Sequence, residues 1–218
     1  MSMPLIEQLL LALWQTLYMV AIATGLATLM GLPLGIILFT TRAHNILACP
    51  SLNRSLAIFS NGLRSIPFII LLVALIPFTR LIVGTSIGTS AAIVPLTIGA
   101  IPFVARIVEN ALNDVPYGLI EAGLAMGATA LQIIRKILLP EAMPGIVNGL
   151  TLTTISLVGY SAMAGAVGGG GLGDLAIHAY QRFDNQTIWC TVAILLGLVQ
   201  LIQMLGDYLV KKTSRHKI

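Results

Sequence analysis

Four stretches of this 218-residue chain carry no charged side chain over more than about 20 residues. They extend from Gln8 to Thr41, from Leu81 to Ala105, from Ala142 to Gly173 and from Asn185 to Gly206. Coiled into a helix, each can cross a hydrocarbon core about 30 Å thick. Charged residues make up only 9% of the chain, against roughly 25% in soluble domains. An ordinary soluble fold is therefore excluded.

A fifth apolar stretch covers residues 55–79, where Arg64 is the only charged residue. Backbone groups in lipid must be satisfied internally, and helices are favoured here because the alternating pattern of barrel strands is absent. We therefore predict an all-α membrane protein, a single domain over residues 1–218 with five transmembrane helices. The expected spans are 9–41, 55–79, 87–112, 144–168 and 185–210, with kinks at Pro33, Pro67, Pro77, Pro95 and Pro102.

The uneven distribution of cations predicts how the spans are oriented. No Lys or Arg precedes Arg42, so the first segment lacks the basic start of a signal peptide and is expected to remain as a helix, with the N-terminus outside. Five crossings then place the C-terminus in the cytoplasm. The cations expected inside are Arg42, Arg54, Arg135, Lys136, Lys211, Lys212, Arg215 and Lys217, and those expected outside are Arg80 and Arg182. The net charge of +4 is thus a topology signal. Nucleic-acid binding is disfavoured because the cations are dispersed among spans.

Residues 114–142 form a polar interruption between the third and fourth predicted spans. Thr129 and Gln132 have the spacing of a capping box, and Gly127 is suited to end the preceding helix. The pattern predicts two short cytoplasmic helices that meet at an angle at the glycine. Three aliphatic residues recur on one stripe of the second helix: Leu131, Ile134 and Leu138. On spacing alone, such a segment can lie in the lipid interface or contact another protein.

The same segment resembles the EAA loop of permease subunits of bacterial ATP-binding cassette (ABC) importers. In that family a Glu-Ala-Ala triplet is followed by a glycine and then by Ile-x-Leu-Pro. Gly123 stands where the family prefers alanine, a change that weakens a helix by about 1 kcal/mol. In the family this loop docks on a separate ATPase subunit. The resemblance assigns this coupling role to Glu121, Ala122, Gly123, Gly127, Ala128, Ile137, Leu139 and Pro140.

The likeness extends to residues 63–80, 93–112 and 157–173, and it is to the methionine-importer branch of these permeases. It implies a homodimer that forms the translocation path for methionine, with both D- and L-forms expected as substrates. It also implies two ATPase subunits on the cytoplasmic side, and a periplasmic methionine-binding protein or lipoprotein that delivers the substrate. The expected location is the bacterial inner membrane.

The chain is expected to be no enzyme and to bind no cofactor or metal of its own. It contains no G-x-x-x-x-G-K-[ST] motif, so ATP and Mg are expected on the partner ATPase. The glycine-rich run from Gly165 to Asp174 lacks the lysine and hydroxyl of a phosphate loop and is expected to be a flexible outer loop. An intramembrane serine protease is disfavoured. The segment Gly159–Met163 has methionine where G-x-S-x-G needs glycine, and His178 lies in an outer loop.

Two other transport functions stay open at this point. One is an ABC importer permease for another small amino acid or an osmolyte. The other is a secondary carrier, which is less favoured because the spans hold almost no ionisable residues that could couple ions. Arg64 is the exception. It is either a cation reaching the inner interface at the start of the second span or a gate or substrate contact.

Polar and polarizable side chains in the fourth span suggest the substrate path. Tyr160 and Met163 are three residues apart and share a helix face, and with Ser161 they are the candidate path residues. Such residues serve equally well as packing between helices. Cys49 and Cys190 are expected on opposite sides of the membrane, too far apart for a disulfide.

Overall fold

The structure, a computed structural model, describes residues 4–43 and 45–214, and these ranges contain helices and no strand. The all-α prediction is confirmed. Arg215 and Lys217, two of the cations expected inside, lie outside the described residues. The α-helices are α1 (Leu5–Thr40), α2 (Pro50–Ser65), α3 (Phe68–Ala74), α4 (Ile76–Val83), α5 (Thr89–Asn113), α6 (Tyr117–Ala125), α7 (Ala130–Ile133), α8 (Leu139–Gly165), α9 (Gly171–Gln181) and α10 (Asn185–Ser214). A π-helical turn, Ile134–Leu138, joins α7 to α8.

Long apolar helices dominate the described part of the chain. Four are long and apolar enough to cross a membrane: α1, α5, the continuous helix Ala130–Gly165 and α10. The count becomes five when α2 and α3 are taken together as one bent span. Pro33 lies inside α1, and Pro95 and Pro102 lie inside α5.

The stretch predicted as the second span, residues 55–79, is not a single helix. The chain turns by 102° between α2 and α3. Pro67 has no N–H to donate and restricts the residue before it, so Ile66 is extended with φ −81° and ψ 125°. Pro77 lies in the first turn of α4, which begins at Ile76. Prolines that were expected to kink this span instead divide it into three helices.

Close packing of α1 against α5 forms the centre of the bundle. Gly31 and Gly35 lie four residues apart on the face of α1 that meets α5. A Cβ on Gly31 would lie 2.7 Å from Val104 Cβ, and one on Gly35 would lie 2.5 Å from the Ala105 carbonyl oxygen. Small residues at this spacing let two helix backbones approach closely. Because the hydrophobic effect does not drive helices together within lipid, such close packing is what holds them in contact. These two glycines therefore fix the distance between α1 and α5.

The glycine-rich run after α8 is a tight turn rather than a flexible loop. Gly168, Gly170 and Gly171 all adopt positive φ, between 74° and 82°, and they turn the chain so that α9 packs back against α8. The Gly171 N–H donates to Gln15 Oε1 at 2.8 Å, and the Leu172 N–H donates to Thr16 Oγ1 at 2.9 Å. Side chains of α1 thus satisfy the free N–H groups at the start of α9. His178 accordingly lies on a helix, not in a loop.

Asp184 stabilises the start of α10. The Thr187 hydroxyl donates to Asp184 Oδ2 at 2.6 Å, and the Thr187 N–H donates to Asp184 Oδ1 at 3.1 Å. These hydrogen bonds, the hydroxyl's first, lower the pKa of Asp184 below its ordinary value of 3.8. A lowered pKa means that this cap contributes fully above about pH 4 and is lost only as the pH falls through the folded-state value.

The cations separate toward the two ends of the bundle. We call the end where α1, α5 and α10 finish the basic end; Arg42 is hydrogen-bonded there to Asn113, and Asn53 to the Leu38 carbonyl. The described cations at this end are Arg42, Arg54, Arg106, Arg135, Lys136, Lys211 and Lys212. At the opposite end, the Gly88 N–H donates to the Gly168 carbonyl at 2.8 Å. Arg80 and Arg182 belong to that opposite end.

Candidate functional site

The segment between α5 and α8, residues 114–138, is a folded helical element at the basic end. α6 ends in a Schellman motif: the Ala128 N–H donates to the Gly123 carbonyl at 3.0 Å, and the Gly127 N–H donates to the Leu124 carbonyl at 2.9 Å. Gly127 has φ +76°, the left-handed region that glycine occupies without steric cost. The turn at Gly127 therefore sets the angle between α6 and the helix that follows.

The capping box at Thr129 is confirmed. The Thr129 N–H donates to Gln132 Oε1 at 2.8 Å, and the Gln132 N–H donates to Thr129 Oγ1 at 3.4 Å. The helix that begins here is not a separate short helix, as the sequence pattern suggested. Its backbone continues through the π-helical turn into α8, where the Leu139 N–H donates to the Ile134 carbonyl five residues earlier.

The π-helical turn also corrects the predicted apolar stripe. Leu131, expected on that stripe, is 59% exposed, whereas Ile133 and Leu138 are fully buried. A π-helical turn places residues five apart over one another, so Ile133 and Leu138 share the buried face. The predicted stripe was right for Leu138, which is buried, and for Ile134, which packs partly buried against the core, but it was wrong for Leu131 because it assumed a period of 3.6 throughout.

Gly123 is buried because α6 lies directly against the helix that follows it. A Cβ on Gly123 would lie 2.8 Å from Ile137 Cδ1 and 3.4 Å from Ile133 Cγ1. Two isoleucines of this chain therefore occupy the space beside the glycine that departs from the EAA pattern. Ile137 is partly buried against the core, so its contact with Gly123 holds α6 in place.

The exposed surface of residues 114–138 carries large apolar side chains and the carboxylate of Glu121. Glu121, Ala122 and Gly127 are exposed, and so is Pro140; Ala128 and Leu139 are half-buried. Glu121 is the fifth residue of α6 rather than a first-turn residue, so its interaction with the helix dipole is small. The exposed apolar side chains of the segment are Tyr117, Leu119, Leu124, Met126 and Leu131. Exposed apolar side chains at the end of a membrane bundle can contact lipid headgroups or another protein.

Replacing Gly127 with valine is expected to misdirect the helix that begins at Thr129. Open space surrounds Gly127, with no atom within 4 Å of an added Cβ, so the effect comes from the backbone conformation alone. A β-branched residue at positive φ costs about 1–2 kcal/mol, or roughly 5- to 30-fold in the population of this geometry. In the coupling role that the EAA resemblance implies, transport measured in reconstituted membranes should fall by up to that factor.

Gly118 provides the matched control because it lies in α6, has no neighbour within 4 Å and is not at positive φ. Gly118→Val should transport normally, and Gly127→Asn should be nearly normal because asparagine tolerates the left-handed region. Equal activities for Gly127→Val and Gly118→Val would show that the turn has no part in transport.

A buried carboxylate lies just before this segment. Glu109, 4% exposed, accepts from Arg42 Nη2 at 2.6 Å and Arg42 Nε at 3.1 Å, and its other oxygen accepts from Arg106 Nη1 at 2.8 Å. Arg42 Nη1 also donates to Asn113 Oδ1 at 2.8 Å. This cluster joins the ends of α1 and α5. This cluster was not predicted, although the i,i+3 spacing of Arg106 and Glu109 was a usable signal.

A cavity of about 200 Å³ lies beside the bend between α2 and α3. Arg64, expected near the start of a span, is in the last turn of α2 and places its guanidinium carbon 5.3 Å from the centre of the Phe103 ring. Tyr160 of α8 stacks on Phe68 of α3, with ring centres 4.6 Å apart and planes at 9°. All four residues line the cavity. Two residues singled out separately, Arg64 and Tyr160, thus share one site.

The other two candidate path residues are placed differently. Met163 is 48% exposed and lies on the exposed face of α8. Ser161 is buried, and its hydroxyl donates to the Val158 carbonyl at 2.7 Å, so that hydroxyl is used within the helix itself. Both cysteines are free, as expected.

Comparison with known proteins identifies the class. The family described as binding-protein-dependent transport system inner membrane component matches residues 31–215, and the chain belongs to that family. It is a multi-pass inner-membrane protein. It is 60% identical to the probable D-methionine transport system permease protein MetI of Vibrio cholerae serotype O1 over 209 residues, 95% of this chain and 93% of the relative. It is 58% identical to the D-methionine transport system permease protein MetI of Escherichia coli K12 over 165 residues, 76% of each chain.

Solved structures agree with this membership. A chain of the MetNI methionine ABC transporter in inward-facing conformations is 52% identical, with a TM-score of 0.95 over 98% of this chain and 99% of that one. An amino acid ABC transporter described with histidines is 19% identical, with a TM-score of 0.78 over 97% of this chain and 100% of that one. The second similarity concerns the fold alone.

Proposed function

We propose that this chain is the membrane-spanning permease subunit of an ABC importer for methionine, taking both D- and L-forms. The observation that carries the proposal is the 60% identity to a protein named as a D-methionine permease, which extends over 93% of that relative. The structural similarity to the MetNI transporter, at a TM-score of 0.95, supports it. Transport rather than catalysis is the activity of this subunit.

The segment at residues 114–138 is the docking site for a separate ATPase in this proposal. Its support is the pairing of a rigid turn at Gly127 with exposed apolar side chains such as Met126, which is 79% exposed. A segment that merely rested in the lipid interface would have no use for a fixed angle between α6 and α7. Two ATPase subunits, each with ATP and Mg, would serve a homodimer of this chain. A periplasmic methionine-binding protein or lipoprotein would deliver the substrate.

The substrate path runs between the two permease copies in this proposal. The face of α8 that is exposed in one copy includes Leu152, Ser156, Gly159 and Met163, at the spacing of one helical stripe. A flexible thioether such as that of Met163 suits contact with an apolar amino acid. Tyr160 borders this stripe and reaches into the cavity with Arg64.

Five crossings with the basic end in the cytoplasm is the proposed topology. It counts α2, α3 and α4 as one broken span, and it places the described cations of the basic end inside, as the positive-inside rule requires. A reporter fused after Ile218 should then read cytoplasmic, and one within α9, Gly171–Gln181, should read periplasmic. The reverse result at both positions would place residues 114–138 outside, where no ATPase could reach them.

Purification with the neighbouring ATPase tests the function directly. The complex should hydrolyse ATP faster when a methionine-loaded binding protein is added, and a panel of other amino acids should give little stimulation. Uptake into vesicles should require ATP and be indifferent to collapse of the proton gradient. Uptake that follows the proton gradient instead would identify a secondary carrier, and stimulation by another amino acid would reassign the substrate.

A further inference from the structure

An arginine without a carboxylate partner lies at the bend between α2 and α3. Among the described residues Arg64 forms no ion pair, and its Nε is buried with no hydrogen-bond partner. Phe103, over which its guanidinium lies, is about 10 residues, or roughly 15 Å, from the end of α5 at Asn113 and roughly 21 Å from its start at Thr89. Phe103 lies one helical turn further into the bundle than Arg106, whose ion pair with Glu109 belongs to the basic end; an ionised side chain inside this boundary is expensive and marks a functional site.

The walls around Arg64 are aromatic and aliphatic rather than acidic. The lining of the cavity of about 200 Å³ is mostly aromatic and aliphatic, contains no carboxylate, and has Ser65 as a polar member besides Arg64 and Tyr160. Phe103 covers one face of the guanidinium by a cation–π contact, and the Nε–H group is left without an acceptor. A second cavity of about 140 Å³ shares Phe103 and Tyr160 with the first and has no charged residue in its lining.

We propose that these two cavities form a subsite for a small amino acid with an apolar side chain, in which Arg64 binds the α-carboxylate. This inference rests on the transport function proposed above and names a site for its substrate. The guanidinium carries five N–H donors in a planar fork that fits a carboxylate. The apolar side chain lies along the stacked Phe68 and Tyr160 rings, and extends toward the uncharged second cavity.

The size of the subsite limits the ligand. Pockets for drug-sized ligands measure about 300–1,000 Å³, so two joined cavities of about 200 and 140 Å³ lie at the lower end of that range and suit a ligand as small as a single amino acid. A bound carboxylate also offsets the free-energy cost of holding the Arg64 charge away from water, because a paired charge there costs far less than an unpaired one. The substrate thus supplies the carboxylate that the chain does not provide. It leaves readily because it forms only one ion pair.

Photo-crosslinking during turnover tests the subsite. The probe is a diazirine analogue of methionine that keeps its free carboxylate, used with the permease–ATPase complex, binding protein and ATP in liposomes. Mass spectrometry should find the label on permease peptides that contain Phe103 or Tyr160. Excess methionine should compete, and the amino alcohol that lacks the carboxylate should not. In Arg64→Gln, the label should fall at least about tenfold, because a buried charge pair is lost.

Two further variants separate binding from structure. Arg80→Gln is the matched control, since Arg80 is an exposed arginine that contacts only Ser86, at 3.4 Å, among described side chains; its labelling should equal that of the unaltered protein. Arg64→Lys keeps the charge and should still prefer methionine to the amino alcohol. If Arg64→Gln does not assemble, the label position and this preference, in the unaltered complex and in Arg64→Lys, decide the question.

Several results would overturn the subsite. Labelling unchanged in Arg64→Gln, equal competition by the amino alcohol, or label confined to other permease peptides would each do so. ATP-driven methionine uptake by the same liposomes keeps these outcomes distinct from a failure of the transport proposal. Uptake without Arg64-dependent labelling removes only the subsite, whereas absence of ATP-driven uptake removes the transport function on which it rests.

Discussion

Glu109→Ala is expected to destabilise the protein by about 3 kcal/mol, because it leaves two arginine side chains without their shared carboxylate. Removing one partner of a buried ion pair costs about 3–5 kcal/mol. The lower end applies here because the Arg42 and Arg106 side chains keep 34% and 41% of their surface in contact with solvent. Alanine is the best helix former, so α5 itself is not weakened. The measurement is the midpoint of thermal unfolding of the purified complex in detergent.

Glu7→Ala is the control for this prediction, since Glu7 is an exposed carboxylate on α1, and it should leave the unfolding midpoint unchanged. Glu109→Gln keeps the shape and one acceptor and should fall between the two. The double variant Arg42→Ala with Glu109→Ala should lose less than the sum of the single variants, because the two groups interact directly. An unaltered midpoint in Glu109→Ala would show that the cluster does not hold α1 to α5.

Glu121→Ala is expected to uncouple ATP hydrolysis from transport or to release the ATPase subunits. In the proposed complex, the exposed Glu121 carboxylate meets a basic residue of the ATPase. Truncating one member of a buried, charge-paired contact costs about 2–5 kcal/mol, or roughly 30-fold and more in affinity. Within this chain Glu121 forms no ion pair with a described residue, so the permease should fold and insert normally. Copurification with ATPase subunits and the ratio of uptake to ATP hydrolysis are the two measurements.

Asp114→Ala provides the comparison for Glu121→Ala, because Asp114 is another exposed carboxylate of the same segment but precedes α6. It should copurify with the ATPase and transport normally. Glu121→Gln separates charge from shape and should resemble the alanine variant if charge pairing dominates. Normal transport in Glu121→Ala would leave the segment as an element resting on lipid and would remove the main argument for an ATPase partner at this site.

Much of the fold was predictable from the sequence, because in a lipid bilayer the composition of a long segment largely decides whether it forms a membrane helix. A charge-free run of sufficient length has few alternatives to a membrane helix, so α1, α5 and α10 were found near their observed bounds. Local chemistry was equally informative at Thr129 and Gln132, whose capping box needs no tertiary contact to form. Features that depend on a few neighbouring residues were thus predictable.

Features that depend on backbone geometry or on distant partners were not predictable. Pro67 occurs in an apolar run that reads as one span, and only the fold shows that the chain turns there instead of kinking. The pairing of Arg42 with Glu109 joins residues 67 positions apart, beyond any local pattern. Similarly, Arg64 was singled out as an ionisable residue within a predicted span, and Tyr160 separately as a polar residue of the fourth span. Their meeting in one cavity results from the bend between α2 and α3.

The π-helical turn between α7 and α8 has a mechanical consequence. Because it keeps the backbone helical, residues 130–165 form one continuous rod of 36 residues, about 54 Å long. The helix is unbroken between Leu131, at the surface of the basic end, and Tyr160 beside the Arg64 cavity, and Pro144 lies inside it. Helices bend most readily at prolines and π-helical turns, so a partner that moves the near end has a continuous helix with defined bending points through which to act. The side chains that border the proposed subsite therefore sit on the same helix as the surface that such a partner would contact.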